Sequence, residues 1–210
     1  MQSHPLLELA AFVARFPQPL GEIESPAELL QQLDVDAHSR FEPLDEAKQL
    51  VRDLLRHGGY KPTGRGKPAS EYLIKAVSDN KLGSINLVVD ACNVVSLHSR
   101  LPISVVDLDK TEGALEVAIA PENSTYVFNQ SGQEIKVDGL ICLFDALGPC
   151  ANGVKDSQRT KTSDKTVRTL SIVWGTTQIR GRAGAAAAWY KEILEKGGAS
   201  VDEVQLVMED

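Results

Sequence analysis

Cysteine is scarce in this chain: Cys92, Cys142 and Cys150 are its only thiols and form no CxxC pair. A disulfide framework and a cysteine zinc site are therefore not expected. No apolar run approaches the roughly 18 residues of a membrane span, and Met1 to Leu9 has no basic stretch ahead of an apolar one. Neither a membrane partner nor export is expected, and reduced thiols in a cytoplasm are the simplest setting. Histidine is sparse too. His4, His38 and His57 fall near the N-terminus and only His98 lies further on, at the surface by this reading, so no metal cluster and no Ser-His-Asp triad assembles. Cofactors and metals are expected to be absent.

What is present is ordinary for a folded chain. Hydrophobic residues are 42% and charged residues 24% of 210 residues, enough for one domain with an extension or two small ones. The net charge of −7 argues against a general DNA binder, but the acid is unevenly placed. Residues 1–57 carry five basic and ten acidic side chains, residues 191–210 two and six, and the middle fifteen and thirteen. Two stretches there are distinctly basic. Lys61, Arg65 and Lys67 stand without an acid between Gly58 and Ser70, and residues 153–182 hold seven bases against Asp156 and Asp164. Such patches contact phosphates locally, although a solvated surface explains them equally simply.

Leu6, Leu9, Val13 and Phe16 recur at helical spacing. Ser25-Pro26-Ala27-Glu28 reads as a capping box, and Leu44, Ala47, Leu50, Val51, Leu54 and Leu55 continue the pattern to a Gly58-Gly59 stop. Residues 1–57 therefore read as a helical extension packed on a core that occupies 58–210. Four glycines and two prolines between 58 and 68 predict an ordered loop, followed by helices over 70–77 and 84–97. Asn86, Asp90 and Asn93 make a polar line on the second helix, read either as buried ties to nearby loops or as a binding face. β-rich runs follow at 103–108, 115–120, 125–128, 134–137, 140–144 and 167–174, then a helix over 182–196 and a strand over 201–208. The order of elements predicts an α+β fold.

Most familiar motifs fail. Gly59 to Lys67 imitates a phosphate loop, but Arg65 and Gly66 stand where Lys and Ser/Thr are required, and Gly64-Arg65-Gly66 never becomes GxGxxG. Asp107, Asp109 and Glu112 at a strand end read more simply as turn caps than as an acid–base set. The polar segment 152–162, rich in Lys, Asp, Gln and Thr, is a stronger site candidate.

One extended likeness remains. Asn86-Leu87-Val88-Val89-Asp90-Ala91-Cys92-Asn93, Leu101-Pro102-Ile103-Ser104, Asp107-Leu108-Asp109, Asn129-Gln130-Ser131-Gly132-Gln133-Glu134 and Asn152-Gly153-Val154 followed by Thr166 resemble the editing domain of the phenylalanyl-tRNA synthetase beta subunit. The likeness covers about residues 58–177. It implies a core of β-sheets flanked by helices and a deacylase acting in trans on mischarged aminoacyl-tRNA. In the synthetase that domain removes tyrosine from phenylalanine tRNA, while free-standing members of the group act on other amino acids, including canavanine on arginine tRNA. By resemblance Glu134 matches the glutamate that reads the wrong side chain. Ser104 replaces an editing-site histidine, and Cys150 and Asn152 fall at pocket-floor positions filled by small residues in the synthetase. A polar or cationic amino acid is therefore expected in place of tyrosine.

The expected site has Glu134, Asn152 and Asp156 at the chemistry. Ser104, Cys150, Lys155, Gln158, Lys161, Asn86, Asp90 and Asn93 are placed around the substrate, and Lys61, Arg65, Lys67 and Arg159 on the tRNA. A tRNA or amino-acid binding module without catalysis is the alternative, and the oligomeric state is left open.

Overall fold

A computed structural model describes residues 4–207. In chain order it runs β1 (Leu7–Arg15), α1 (Ala27–Leu30), α2 (Ala47–Arg56), α3 (Ala69–Ser78), α4 (Leu87–Ser99), β2 (Ile103–Asp107), β3 (Glu116–Ile119), β4 (Thr125–Val127), β5 (Glu134–Lys136), β6 (Ile141–Asp145), β7 (Gly148–Asn152), β8 (Arg168–Thr176), α5 (Arg182–Lys196) and β9 (Ser200–Glu203). Three antiparallel assemblies result: a four-stranded sheet in the order β2-β8-β1-β9, a three-stranded sheet β3-β6-β7 and the hairpin β4-β5. The fold is α+β, as the order of elements predicts.

The first element is a strand and not the helix that its spacing suggests. β1 pairs residue for residue with β8, Leu7 opposite Thr176 through Arg15 opposite Arg168, and on its other side with β9. Phe12 and Ala14 are fully buried, while Leu9, Ala11 and Val13 lie on the opposite side of the pleat. Both sides are apolar, so the two-residue alternation is masked and a spurious three-to-four spacing emerges. Residues 1–57 are accordingly not helical throughout: they supply a central strand of the main sheet, and only α1 and α2 keep the helical reading. β9 ends at Glu203, short of the expected 208, and Met208 itself lies outside the described residues.

α4 and α5 cover one face of the main sheet. The Phe12 ring meets the Tyr190 ring edge-on at 5.1 Å, and the Tyr190 hydroxyl donates to the Val88 carbonyl at 2.7 Å, which ties sheet, α5 and α4 together. Tyr190→Phe is expected to cost about 1 kcal/mol of stability, read by urea unfolding, because it removes a buried hydrogen bond that joins α5 to α4. His98 is buried and not at the surface. Its Nε2 lies 2.9 Å from the Gln32 carbonyl and its ring packs on Trp189, and burial holds its pKa below the ordinary imidazole value. On the other face of the main sheet, β2 packs against β7, a strand that Gly148-Pro149-Cys150-Ala151-Asn152 does not advertise by composition.

Candidate functional site

Two clefts draw on the segment from Lys155 to Lys161. The larger, about 560 Å³, lies between the loop carrying Tyr60, Lys61 and Arg65, the β4-β5 hairpin with Phe128 and Glu134 to Lys136, and Lys155. Its walls are fixed by backbone. The loop leaves α2 through Gly58, packed so closely on the turn before β6 that a Cβ at Gly58 would stand 2.3 Å from the Gly139 carbonyl oxygen. The Tyr72 hydroxyl donates to the Gly64 carbonyl at 2.8 Å, and the Asn129 carboxamide accepts from the Gln133 N–H at 3.0 Å to close the hairpin tip.

This cleft is electropositive. Lys61, Arg65, Lys136 and Lys155 line it with Glu134 as the only carboxylate, and among the described residues none of the five side chains has an ion-pair partner. Lys155 holds its ammonium 4.1 Å from the centre of the Phe128 ring and 5.8 Å from that of Tyr72, a cation–π arrangement. Burial, with Arg65 and Lys161 adding like charge, pulls its pKa below the ordinary lysine value. The elements recruit Phe128, Tyr72 and Lys136, none of which the spacing of the sequence singles out.

Asn152 holds the segment between the clefts. Its side-chain oxygen accepts from the N–H groups of Val154 (2.8 Å) and Lys155 (3.0 Å), and its amide nitrogen donates to the Tyr126 hydroxyl, which donates to the Lys155 carbonyl at 2.5 Å. Asn152 is thus a positioning residue with its own hydrogen bonds filled. Asp156 Oδ1 accepts from Ser104 Oγ at 2.7 Å and from the Asn152 N–H at 3.2 Å, and Trp174 Nε1 donates to Ser104 Oγ at 2.9 Å. Ser104 therefore serves the network beneath the site.

Burial pushes the Asp156 carboxyl up to about 6, against the pull of Ser104, the N–H groups of Asn152 and Val105, and the charge of Lys161. A carboxyl with a raised pKa adds stability that is complete below its unfolded value, about 4, and is lost as pH rises through about 6. Asp156→Asn, which keeps an oxygen for Ser104 and removes the ionisation, should flatten the dependence of unfolding free energy on pH across this window.

The smaller cleft, about 300 Å³, adjoins the same segment. Val89, Asn93, Ile103, Val105, Asp156 and Lys161 are among its lining residues. Lys161 Nζ donates to the Phe128 carbonyl at 2.6 Å.

Several expected site residues are committed to the fold instead. Asp90 is fully buried and accepts from the hydroxyls of Ser25 and Ser84, both at 2.5 Å, and from the Ile85 N–H, so it ties α4 to two loops. Asn86 caps α4 by accepting from the Val89 N–H at 3.1 Å. Arg159 is placed by a fork of 2.7 and 2.8 Å on Asp145 and not by an open basic face. Burial alone would raise Asp145, but Arg159 and the N–H groups of Glu112 and Leu147 outweigh it and hold the carboxyl below its usual range. Arg159→Lys should lose about 1–2 kcal/mol in urea unfolding, since an ammonium cannot reproduce the fork. The Cys150 thiol is buried, and burial pushes it up to about 12. Lys67 and Gln158 line neither cleft. Asp107 caps a turn by accepting from the Asp109 N–H, as its position suggests.

Among the described residues no three His, Cys, Asp or Glu side chains are placed to hold a metal ion, and no helix is long and apolar enough to cross a membrane. A search of curated proteins finds no match. Among solved structures the chain is similar to an N-terminal fragment of the phenylalanyl-tRNA synthetase beta subunit from Pyrococcus horikoshii, with a TM-score of 0.50 and 11% identity. That likeness covers 96% of this chain but 48% of the other, so the chain spans about half the length of the fragment it resembles, and at this identity the shared property is the fold. The B3/4 domain profile matches residues 61–188, a span that includes both clefts apart from the Tyr60 edge, and the chain belongs to the B3/4 domain family.

Proposed function

We propose that the protein is a deacylase that hydrolyses, in trans, the ester linking a mischarged amino acid to tRNA, with a polar or cationic amino acid such as canavanine on arginine tRNA as substrate. The observation that carries this reading is the electropositive cleft, where four cations without ion-pair partners among the described residues surround one free carboxylate and an aromatic ring. Phosphates and an unstacked terminal base suit such a surface, because counterion release and stacking both favour a single-stranded end. Family membership and the likeness in fold to a synthetase fragment support the same reading.

An aminoacyl ester is already activated. Hydrolysis needs a water held against the carbonyl carbon, charge stabilisation for the tetrahedral oxyanion, and a proton for the departing ribose oxygen, which the vicinal hydroxyl can relay. Glu134 is the group assigned to orient the water or the ribose, and Lys155, desolvated and cationic, to stabilise developing negative charge. No histidine base is required.

The test is a deacylation assay over a panel of correctly and wrongly acylated tRNAs. Selective loss of one mischarged species is expected, slowed about a hundredfold by Glu134→Ala. Tight tRNA binding without turnover of any species would instead assign a non-catalytic binding module.

A further inference from the structure

We propose that a third pocket, formed where the first turns of α2 and α3 meet the end of α4, binds a phosphate group, independently of the deacylase reading. The pocket encloses about 250 Å³, and Ala47, Lys48, Ser70, Ile74 and Arg100 are among its lining residues. It shares no lining residue with either cleft. Its α2 wall falls outside residues 61–188, the span that the B3/4 profile matches.

Three features of the wall call for an anion. α2 and α3 are ten residues long, neither has a side-chain cap, and the Lys48 and Ser70 N–H groups of their first turns have no acceptor among the described residues. Two helix starts thus bring unsatisfied donors and the positive ends of their dipoles to one pocket. The second feature is Ser70, which is 4% exposed. Its hydroxyl has no hydrogen-bond partner among the described residues and is not sealed in the core, so the pocket that it lines is what it reaches. An acceptor oxygen there satisfies a donor that is otherwise costly to bury. The third is Arg100. It ends α4 at φ +64°, a conformation that favours glycine, and its half-buried guanidinium has no ion-pair partner among the described residues. Arg182 stands beside it, bonded to the Ser99 and Glu42 carbonyls, and burial together with the like charge of Arg100 pulls the Arg182 pKa below its ordinary value. An anion at Arg100 relieves that repulsion. Lys48 adds an exposed ammonium that approaches Glu71 only to 3.8 Å, while the Arg52 fork takes both Glu71 oxygens at 2.6 and 2.7 Å. Asp45, exposed at the rim, is the carboxylate that opposes these cations. A guanidinium, an ammonium, a hydroxyl and two N–H groups match the tetrahedral oxygens of a phosphate better than the planar pair of a carboxylate.

The experiment follows the backbone amide resonances of the isotope-labelled protein while inorganic phosphate is added, with sodium chloride at matched ionic strength as the control. Wild type is expected to show saturable shifts at Lys48 and Ser70. Arg100→Gly and Ser70→Ala should each weaken that binding at least about tenfold, since each removes a hydrogen bond to a charged group. Arg100→Gly suits the left-handed backbone while deleting the cation, so it keeps the fold, which urea unfolding checks. Filter binding of uncharged tRNA then distinguishes the source of the phosphate. Lys75→Gln is the reference there, because Lys75 is an exposed cation on α3 outside the pocket. An affinity lowered more by Arg100→Gly than by Lys75→Gln assigns the pocket to a backbone phosphate of tRNA. Equal effects of the two, with the phosphate shifts intact in wild type, assign it to free phosphate or a small phosphate ester. The absence of saturable phosphate shifts at Lys48 and Ser70 overturns the proposal. So do shifts that chloride reproduces, or shifts that survive Arg100→Gly at undiminished affinity. The phosphate titration needs no turnover, so a protein that hydrolyses no mischarged tRNA removes the deacylase reading and leaves this site to be judged by its own result.

Discussion

Gly139→Ala is expected to lower the unfolding free energy by about 4 kcal/mol, the sum of a left-handed backbone penalty and an overpacked contact. Gly139 has φ +70°, and a Cβ there would lie 2.2 Å from the Gly58 carbonyl oxygen and 3.0 Å from the Tyr60 nitrogen. Backbone on both sides leaves no flexible side chain to give way. Because this contact seats the Tyr60–Arg65 loop against the hairpin, the damage is both local and functional: the larger cleft should loosen as stability falls. Chemical denaturation checks the first effect. Protease cleavage in the loop, under conditions where the core stays folded, checks the second. Gly132→Ala is a suitable contrast: its φ is +76° but its Cβ would meet nothing within 4 Å, so only the backbone penalty of about 1–2 kcal/mol applies.

The second large effect concerns binding. Removing Lys61, Arg65 and Lys136 together by alanine should weaken tRNA affinity on the order of a hundredfold at moderate salt. It should also reduce the slope of log affinity against log salt by about 2, since each lost phosphate contact withholds about 0.7 of a counterion from single strands. The three side chains are free of ion pairs among the described residues, so stability should stay within about 0.5 kcal/mol of wild type. Filter binding across a salt series, together with a urea melt, measures both. An unchanged slope would mean that phosphates do not sit in this cleft. Lys155 is left in place because the Phe128 contact makes it part of the packing as well as of the charge.

Local signals in the sequence were sufficient for elements whose stabilising contacts are near in sequence. α2, with its apolar face of Ala47, Val51, Leu54 and Leu55 and its glycine stop, is legible from one turn to the next. The same holds for α5 and for the hairpin strands on either side of the Asn129–Gly132 turn. The resemblance to the editing domain was carried by residues 86–166, where the polar positions are regularly spaced around short strands. The basic loop at 61–67 and the polar segment at 152–162 were both picked out by composition, and the two clefts are built around them.

The sequence by itself therefore determined the α+β class, the position of most helices and strands, and the two segments that line the candidate site. Tertiary structure alone decided the rest, because the relevant interactions join residues far apart in the chain. β1 is a strand because its partners, β8 and β9, lie more than 150 residues away, and its two apolar sides erase the alternation that would have announced it. Arg159 and Asp90 look like ligands in a line of sequence, yet each is engaged by groups brought from other segments, Asp145 for one and the hydroxyls of Ser25 and Ser84 for the other. Composition cannot report the separation of Lys155 from Asp156 into different clefts. It arises because Asn152, Tyr126 and Ser104 fix the backbone of that segment from three different strands.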